Sequence, residues 1–373
     1  MKVAILTLRI HSNFGYLMQL YALQKIVKSL GHDPYTFYIK EEQHTLKAKA
    51  KELIYNLYVK YIRRENMVVF NKWITDDERK KLDKNTWDFV NNNIQLTDYI
   101  KSPKDFYNFD TSKYDAFIVG SDQVWRKPYS INLPLYYFSF LKSKQPRMSY
   151  AASFGKSDIE EYSSNLKRQC KQLVQKFNIV TVREKDGVDI CREYFGIEAK
   201  QVLDPTLLLP VQEYMELAER GKKHNQGKPY IFTYLLDSNN YKWEVINEFV
   251  HEYGIEVINI LPPKMRANTE LSEEYVYPHV YDILSGFANA AYVFTDSFHA
   301  SVFSIIFNRQ FFVFPNEKRG NSRIYSLLSD YGIPERLITD GVTKNIIDYN
   351  SLNPSVFEKI EKSKEYLNSF LNE

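Results

Sequence analysis

Along this chain, short apolar runs alternate with stretches whose apolar residues recur at helical spacing, the rhythm of α/β proteins built on parallel sheets. Val3 to Leu8 reads as a buried strand, and the polar loop Arg9 to Phe14 follows it. From about Gly15 to Leu30, residues Leu17, Leu20, Tyr21, Leu23, Gln24 and Val27 fall at helical spacing and Gly31 closes the helix. Tyr35 to Ile39 completes an opening βαβ unit. The rhythm returns with strands at Ala116 to Val119, Met148 to Ala152 and Ile179 to Val182, the last leading into a helix that ends near Phe195. A later set of strands is expected at Tyr230 to Tyr234, Glu256 to Ile260, Tyr292 to Thr295 and Phe311 to Phe314, with helices near Trp243 to Tyr253 and Tyr281 to Ala290. Pro354 to Leu371 reads as a closing amphipathic helix, with Asn353 suited to its N-cap and Pro354 to its first position.

Two segments interrupt this rhythm. Residues 41 to about 110 are rich in Lys, Asn and Tyr, and Thr45 to Trp73 has helical periodicity with Lys47, Lys49, Lys51, Lys60, Arg63 and Arg64 along it. An inserted helical region is expected there, covering one edge of the first domain. Its basic face is either solvated or set against an anionic membrane. Val202 to Pro210 carries two prolines around an apolar run, which suits a chain crossing between domains. The expected architecture is therefore two doubly wound Rossmann-like domains, 1–210 and 211–373, facing a cleft.

In such sheets the turns at the carboxyl ends of strands bind ligands. His11, Asn13, Ser121, Asp122, Ser153 and Arg183 all fall in such turns and would line one wall, with Thr295 to His299 on the other. Gly15 would let the backbone approach a ligand closely. His299 sits where a helix begins, a position that favours a bound anion and suits proton transfer. Asp122 and Asp296 are the carboxylates that could orient or activate hydroxyl groups, although Asp296 could equally cap the helix.

Composition narrows the partners. Hydrophobic residues at 44% and charged residues at 25% describe an ordinary globular protein, and a net charge of +3 argues against nucleic acid. The 29 Tyr and 24 Phe are spread along the chain, which favours core packing over a sugar-stacking cluster. Cys170 and Cys191 form no C-x-x-C pair and lie near no histidine with ligand spacing, so a reducing compartment and no metal are expected. The opening apolar run has no charged leader before it, and no run has the length to span a bilayer, so a cytoplasmic protein is expected.

Asn13-Phe-Gly15 with Gln19 and Tyr21-Ala-Leu23, Gly120-Ser-Asp-Gln-Val-Trp125, Tyr150-Ala-Ala-Ser-Phe-Gly155, Val182-Arg-Glu-Lys-Asp-Gly187, Leu203-Asp-Pro-Thr-Leu207, Thr295-Asp-Ser-Phe-His299 and Asn321-x-Arg323 occur in this order. Together they resemble the polysaccharide pyruvyl transferase family. The resemblance implies a fold similar to the two-domain B-type glycosyltransferases and transfer of the enolpyruvyl carbons of phosphoenolpyruvate onto sugar hydroxyls. The acceptor would be a cell-surface glycan or its lipid-linked precursor, at the inner face of the membrane, and no cofactor or metal would be needed. His299 corresponds to the family's central histidine and Arg183 to its donor-binding arginine. Many members have an arginine two residues before that histidine, where this chain has Ser297 beside Phe298; Lys318, Arg319 and Arg323 are the candidates to replace its charge. A nucleotide-sugar-dependent glycosyltransferase of the same architecture and a non-catalytic glycan-binding relative remain open as alternatives.

Overall fold

The computed structural model describes residues 1–39, 53–55, 57, 58, 60–62, 74–142, 144–265, 269–339 and 341–372. Two parallel sheets organise them. The first holds β1 (Lys2–Leu6), β2 (Asp33–Ile39), β3 (Leu96–Ile100), β4 (Ala116–Asp122), β5 (Arg147–Ala152), β6 (Ile179–Val182) and β7 (Lys200–Gln201), in the order β3-β2-β1-β4-β5-β6-β7. The second holds β8 (Tyr230–Tyr234), β9 (Glu256–Asn259), β10 (Tyr292–Thr295) and β11 (Gln310–Val313), in the order β11-β10-β8-β9. A parallel sheet is covered on both faces, so its central strands are apolar without alternation. β5 and β8 are buried at every position, and β4 at every position but its last.

Strand order creates the cleft. In the first sheet the chain runs outward from β1 to β2 and β3, then returns to lay β4 on the other side of β1. In the second it runs from β8 to β9 and returns to β10. Leu6 lies opposite Val119, and Thr295 opposite Tyr234, so each pair of neighbouring strands delivers its loops side by side. The chain reverses its winding at both places, and these are the positions at which open α/β sheets hold ligands.

Helix α1 (Phe14–Ser29) joins the two units. Asn13 caps it by accepting the Tyr16 N–H at 3.0 Å, and Phe14, the first helical residue, packs on Tyr234, Phe287 and Phe303 of the second unit. One apolar core runs through both units, with a smaller cluster of Ile231, Leu235, Ile246, Phe249, Phe294, Phe312, Phe314 and Ile338 on the second sheet. The last helix (Ser355–Asn372) returns to the first sheet, where the Leu203 N–H donates to Ser363 Oγ at 3.0 Å.

The α/β architecture of two facing Rossmann-like units is the one expected from the apolar rhythm. Residues 74–110 depart from the expected helical insertion: after helices at Asp76–Leu82 and Lys84–Asn93, β3 pairs with β2 and extends the first sheet. Only Thr97 and Ile100 of β3 are buried, which is why no apolar run announced it. The second of these helices reaches the other unit, with Asn85 Nδ2 donating to the Tyr277 carbonyl at 2.7 Å and Asn93 Nδ2 to the Tyr281 hydroxyl at 3.1 Å. The basic segment Thr45 to Trp73 lies largely outside the described residues. Among those residues, no helix is long and apolar enough to cross a membrane.

Candidate active site

The loops from both switch points enclose a cavity of about 540 Å³. Arg9, His11, Asn13, Asp122 and Tyr129 line it from the first unit, and Asp237, Phe298, His299, Lys318, Arg319 and Arg323 from the second.

His299 is placed by the turn that follows β10. Thr295 Oγ1 donates to the Tyr234 carbonyl at 2.7 Å and accepts the Ser297 N–H at 3.0 Å, which fixes the chain as it leaves the sheet. A nine-residue helix, Phe298–Ile306, begins at once. Ser297 occupies its N-cap, but the side chain makes no capping hydrogen bond, so the first-turn N–H groups stand uncapped at the cleft. His299, 6% exposed, projects between the units. Its Nε2 lies 3.5 Å from Asp204 Oδ2, an electrostatic contact longer than a good hydrogen bond. Its other flank rests on Gly15, where any Cβ would overlap the ring.

Asp204 anchors a buried charge network. One oxygen, Oδ2, accepts from Arg183 Nη1 at 2.7 Å and from Ser121 Oγ at 3.3 Å; the other accepts from the Thr206 N–H at 3.1 Å and Thr206 Oγ1 at 2.7 Å. Arg183 Nη2 donates to Asp122 Oδ1 at 3.0 Å, and Arg323 Nη1 lies 3.6 Å from the same oxygen. Both guanidinium groups lie over the Phe298 ring, at 4.7 and 5.6 Å from its centroid. Asp122 reaches this position with a left-handed φ of 76°, a conformation that costs a non-glycine residue about 1–3 kcal/mol and is held by the charges around it.

Burial alone would protonate these carboxylates. For Asp204, burial is outweighed by His299, Arg183 and Thr206, which hold the carboxyl well below the usual range. For Asp122, burial is again outweighed, here by Arg183, His299 and Arg323. Arg183 is raised, because Asp122, Asp204 and Glu184 overcome its own burial. Arg323 moves the other way: burial, then repulsion by Arg183, lower it to about 10, so it remains charged at neutral pH.

The loop after β11 supplies the basic wall. Arg319 Nε donates to Asp237 Oδ2 at 2.6 Å, and Asn316 Nδ2 donates to the same oxygen at 3.0 Å. From the first unit, Arg126 donates to the carbonyls of Lys318 and Arg319, both at 3.1 Å, and Gln123 Nε2 adds a bond to the Arg319 carbonyl at 3.3 Å. Arg323 Nη2 donates to that carbonyl at 3.0 Å. The loop is thus clamped from both sides, with the Lys318 side chain exposed at the cleft.

Of the residues singled out from the sequence, His11, His299, Asp122, Asn13, Ser297, Phe298, Lys318, Arg319 and Arg323 meet at the cavity, and Gly15 backs His299. Four others are elsewhere or otherwise engaged. Arg183 is 5% exposed and behind the cleft wall, its charge spent on two carboxylates, so it is not positioned to grip a donor directly. Ser121 is buried against Asp204. Ser153 is buried against Glu184 Oε1 at 2.9 Å and does not line the cleft. Asp296 accepts from the Leu236 N–H at 2.7 Å, the Asp237 N–H at 2.9 Å, Lys242 Nζ at 2.7 Å and Asn316 Nδ2 at 3.2 Å. With three donors on Oδ2 and one on Oδ1, Asp296 fixes the turn rather than capping the helix. Sequence reasoning missed Asp204, Asp237, Gln123 and Arg126. Asp204 stood in the Leu203-Asp-Pro-Thr motif and Arg126 directly after Gly120 to Trp125, but their partners lie far away in the chain.

Two Rossmann-like units with their switch points on one cleft define the two-domain architecture of B-type glycosyltransferases and sugar-nucleotide epimerases. The UDP-N-acetylglucosamine 2-epimerase of Rickettsia bellii is similar in structure, with a TM-score of 0.54 at 12% identity, covering 100% of this chain and 96% of that one. The UDP-GlcNAc 2-epimerase of Neisseria meningitidis, solved bound to UDP-GlcNAc, has a TM-score of 0.52 at 9% identity and covers 100% of this chain and 94% of that one. At such identities the likeness is one of fold. The polysaccharide pyruvyl transferase family matches residues 13–318, and the chain belongs to that family. A search of curated protein sequences finds no match.

Proposed function

We propose that this transferase moves the enolpyruvyl group of phosphoenolpyruvate onto two hydroxyls of a sugar in a glycan, forming a pyruvate ketal and releasing phosphate. The observation that carries this reading is the meeting of His299, on an uncapped helix N-terminus, with the basic residues Lys318, Arg319 and Arg323 in one cavity. A small molecule bearing a phosphate and a carboxylate on the same carbon suits that arrangement. One anionic group would sit on the helix N–H groups and the other on the basic loop.

Phosphoenolpyruvate is an electron-rich enol ester. A proton added at its methylene carbon leaves an electron-poor carbon carrying the phosphate, which a sugar hydroxyl attacks. Phosphate then departs with the electrons of its bond to that carbon, and a second hydroxyl closes the ring. His299 is the proton donor in this sequence, oriented by Asp204 on one side and Gly15 on the other. Lys318 and Arg319 take the place of the arginine that many relatives carry where this chain has Ser297. Arg183 acts indirectly, holding Asp122 and Asp204 in their ionised forms and supporting Phe298.

Calorimetric titration of the purified protein and of His299→Ala with phosphoenolpyruvate, with a panel of nucleotide sugars alongside, tests the donor. Binding of phosphoenolpyruvate that weakens in the variant supports the reading. Binding of a nucleotide sugar with no phosphoenolpyruvate signal would replace it with glycosyl transfer on the same fold.

A further inference from the structure

The reaction proposed above takes up one proton at carbon and sheds one from each hydroxyl, one of which leaves on phosphate, so a base within reach of the acceptor hydroxyls serves it. The cleft carboxylates are committed elsewhere. Asp122 is paired with Arg183 and faces Arg323, Asp237 accepts from Arg319 and Asn316, and Asp296 accepts from four donors. For Asp122 and Asp237 these partners outweigh burial and lower the carboxyl pKa, which makes each a weak base.

His11 is differently placed. It follows β1 on the wall opposite the helix that carries His299, with its side chain open to the cleft. Its Nδ1 lies 2.7 Å from the Arg9 carbonyl oxygen, which can only accept, so Nδ1 carries the ring proton and Nε2 keeps its lone pair. The ring rests on Tyr16 at 4.5 Å between centroids, and the Tyr16 hydroxyl is itself anchored on the Leu8 carbonyl at 2.6 Å. Tautomer and orientation are therefore both set before any ligand binds. Desolvation lowers the His11 pKa below the ordinary histidine value, against the bond to Arg9 and the carboxylates of Asp122 and Asp83, which favours the neutral ring. Among the described residues, His11 and His299 are the two histidines that line the cavity.

Building on the phosphoenolpyruvate reading, we propose that His11 Nε2 is the base that receives the acceptor hydroxyl protons, while His299 delivers the proton to the donor's methylene carbon. In the first step the hydroxyl oxygen bonds to the phosphate-bearing carbon and its proton passes to Nε2. As the carbon–phosphate oxygen bond breaks, Nε2 returns that proton to the leaving phosphate. The second hydroxyl then attacks the same carbon and gives its proton to the neutral Nε2, closing the ketal. Water standing in for the sugar follows the first step and yields pyruvate and phosphate. The acceptor class is a sugar diol, one hydroxyl of which enters from the His11 side.

The test uses phosphoenolpyruvate with water, and with methyl β-D-galactopyranoside as a diol probe, measuring pyruvate, phosphate and ketal. His11→Asn keeps an N–H that can reach the Arg9 carbonyl while removing the base, and His11→Gln is the second variant; thermal melting checks that both fold. Both variants are expected to bind phosphoenolpyruvate within about twofold of wild type and to turn it over roughly 100-fold more slowly or worse, the usual span for a lost general base. Wild-type turnover falls as the pH drops through the lowered His11 value, in the field of Asp122, Asp83, Arg9 and Tyr16, and the variants lack that limb. Variants that turn over at the wild-type rate, or that lose donor binding as fully as His299→Ala, overturn the assignment and leave the donor reading standing. Wild-type protein that does not bind phosphoenolpyruvate overturns both.

Discussion

Gly15 lies so close to His299 that a Cβ at position 15 would overlap the Nδ1, Cγ and Cβ atoms of the imidazole. The contact joins the first turn of α1 to the first turn of the helix opposite, and it leaves the ring no room to retreat because Asp204 stands on its other side. Gly15→Ala is the substitution a helix ordinarily welcomes, by about 0.8–1.0 kcal/mol. Here overpacking costs about 1–3 kcal/mol and outweighs it. The variant is expected to unfold at lower denaturant concentration and to bind phosphoenolpyruvate more weakly. An unchanged unfolding midpoint with full binding would show that the ring has space the structure does not give it.

Asp204 is the partner on which both cationic sides of the site converge. Asp204→Asn leaves Arg183 buried with one carboxylate in place of two, and breaking a buried pair in this way costs about 3–5 kcal/mol. A pH dependence follows. The Asp204 and Asp122 carboxyls are held below their usual range in the folded protein, so they bind fewer protons there than in the unfolded chain. Their stabilisation is fully present above the unfolded value of about 3.9 and is lost as the pH falls through the folded values. Denaturant midpoints measured from pH 7 down to pH 3 should therefore drop steeply below about pH 4 in the wild type. The drop should be shallower in Asp204→Asn. Parallel curves for the two proteins would mean that Asp204 is not held ionised by the fold.

The architecture was legible because parallel strands are buried on both faces and show as apolar runs, and because winding reversals put ligand sites at strand ends. His299 was legible for the same reason, standing after such a run at a helix start. What could not be read was the pairing of charges. Arg183 follows β6 and suggested a donor ligand, yet its two carboxylates come from residues 122 and 204, and nothing local announces either. Ser153 has the same strand-end position as Asp122 but turns inward to Glu184, so position alone did not separate the cleft from the core. β3 escaped notice because it is an edge strand with few buried residues.

Asp296 separates a structural carboxylate from a catalytic one by experiment. It is 1% exposed, and Lys242, nearly as buried, donates both to it at 2.7 Å and to the Asp237 carbonyl at 2.9 Å. Asp296→Asn should destabilise the protein by about 3–5 kcal/mol, because it strands the Lys242 ammonium and replaces an acceptor of two backbone N–H groups. Activity measured well below the variant's melting temperature should fall far less than in His299→Ala. Loss of turnover with a wild-type melting temperature would instead return Asp296 to the chemistry.

Lys318 and Arg126 should act on the donor through one another. The Lys318 ammonium is exposed at the cleft, whereas its carbonyl is held by Arg126 across the domain boundary. On the phosphoenolpyruvate reading, Lys318→Ala removes a charge-assisted contact worth about 1.5–3 kcal/mol, so phosphoenolpyruvate affinity should fall roughly tenfold or more with little change in stability. Arg126→Gln leaves that charge in place but releases the loop that aims it, and affinity should fall in the same direction. Once the loop is loose, removing the ammonium matters less, so the double variant should be weaker than either single one by less than the sum of their losses. A coupling of about 0.5 kcal/mol or more in the calorimetric cycle would bear this out. Strict additivity would mean that the loop keeps its place without Arg126, and that the bonds from Gln123 and Arg323 to the Arg319 carbonyl suffice to hold it.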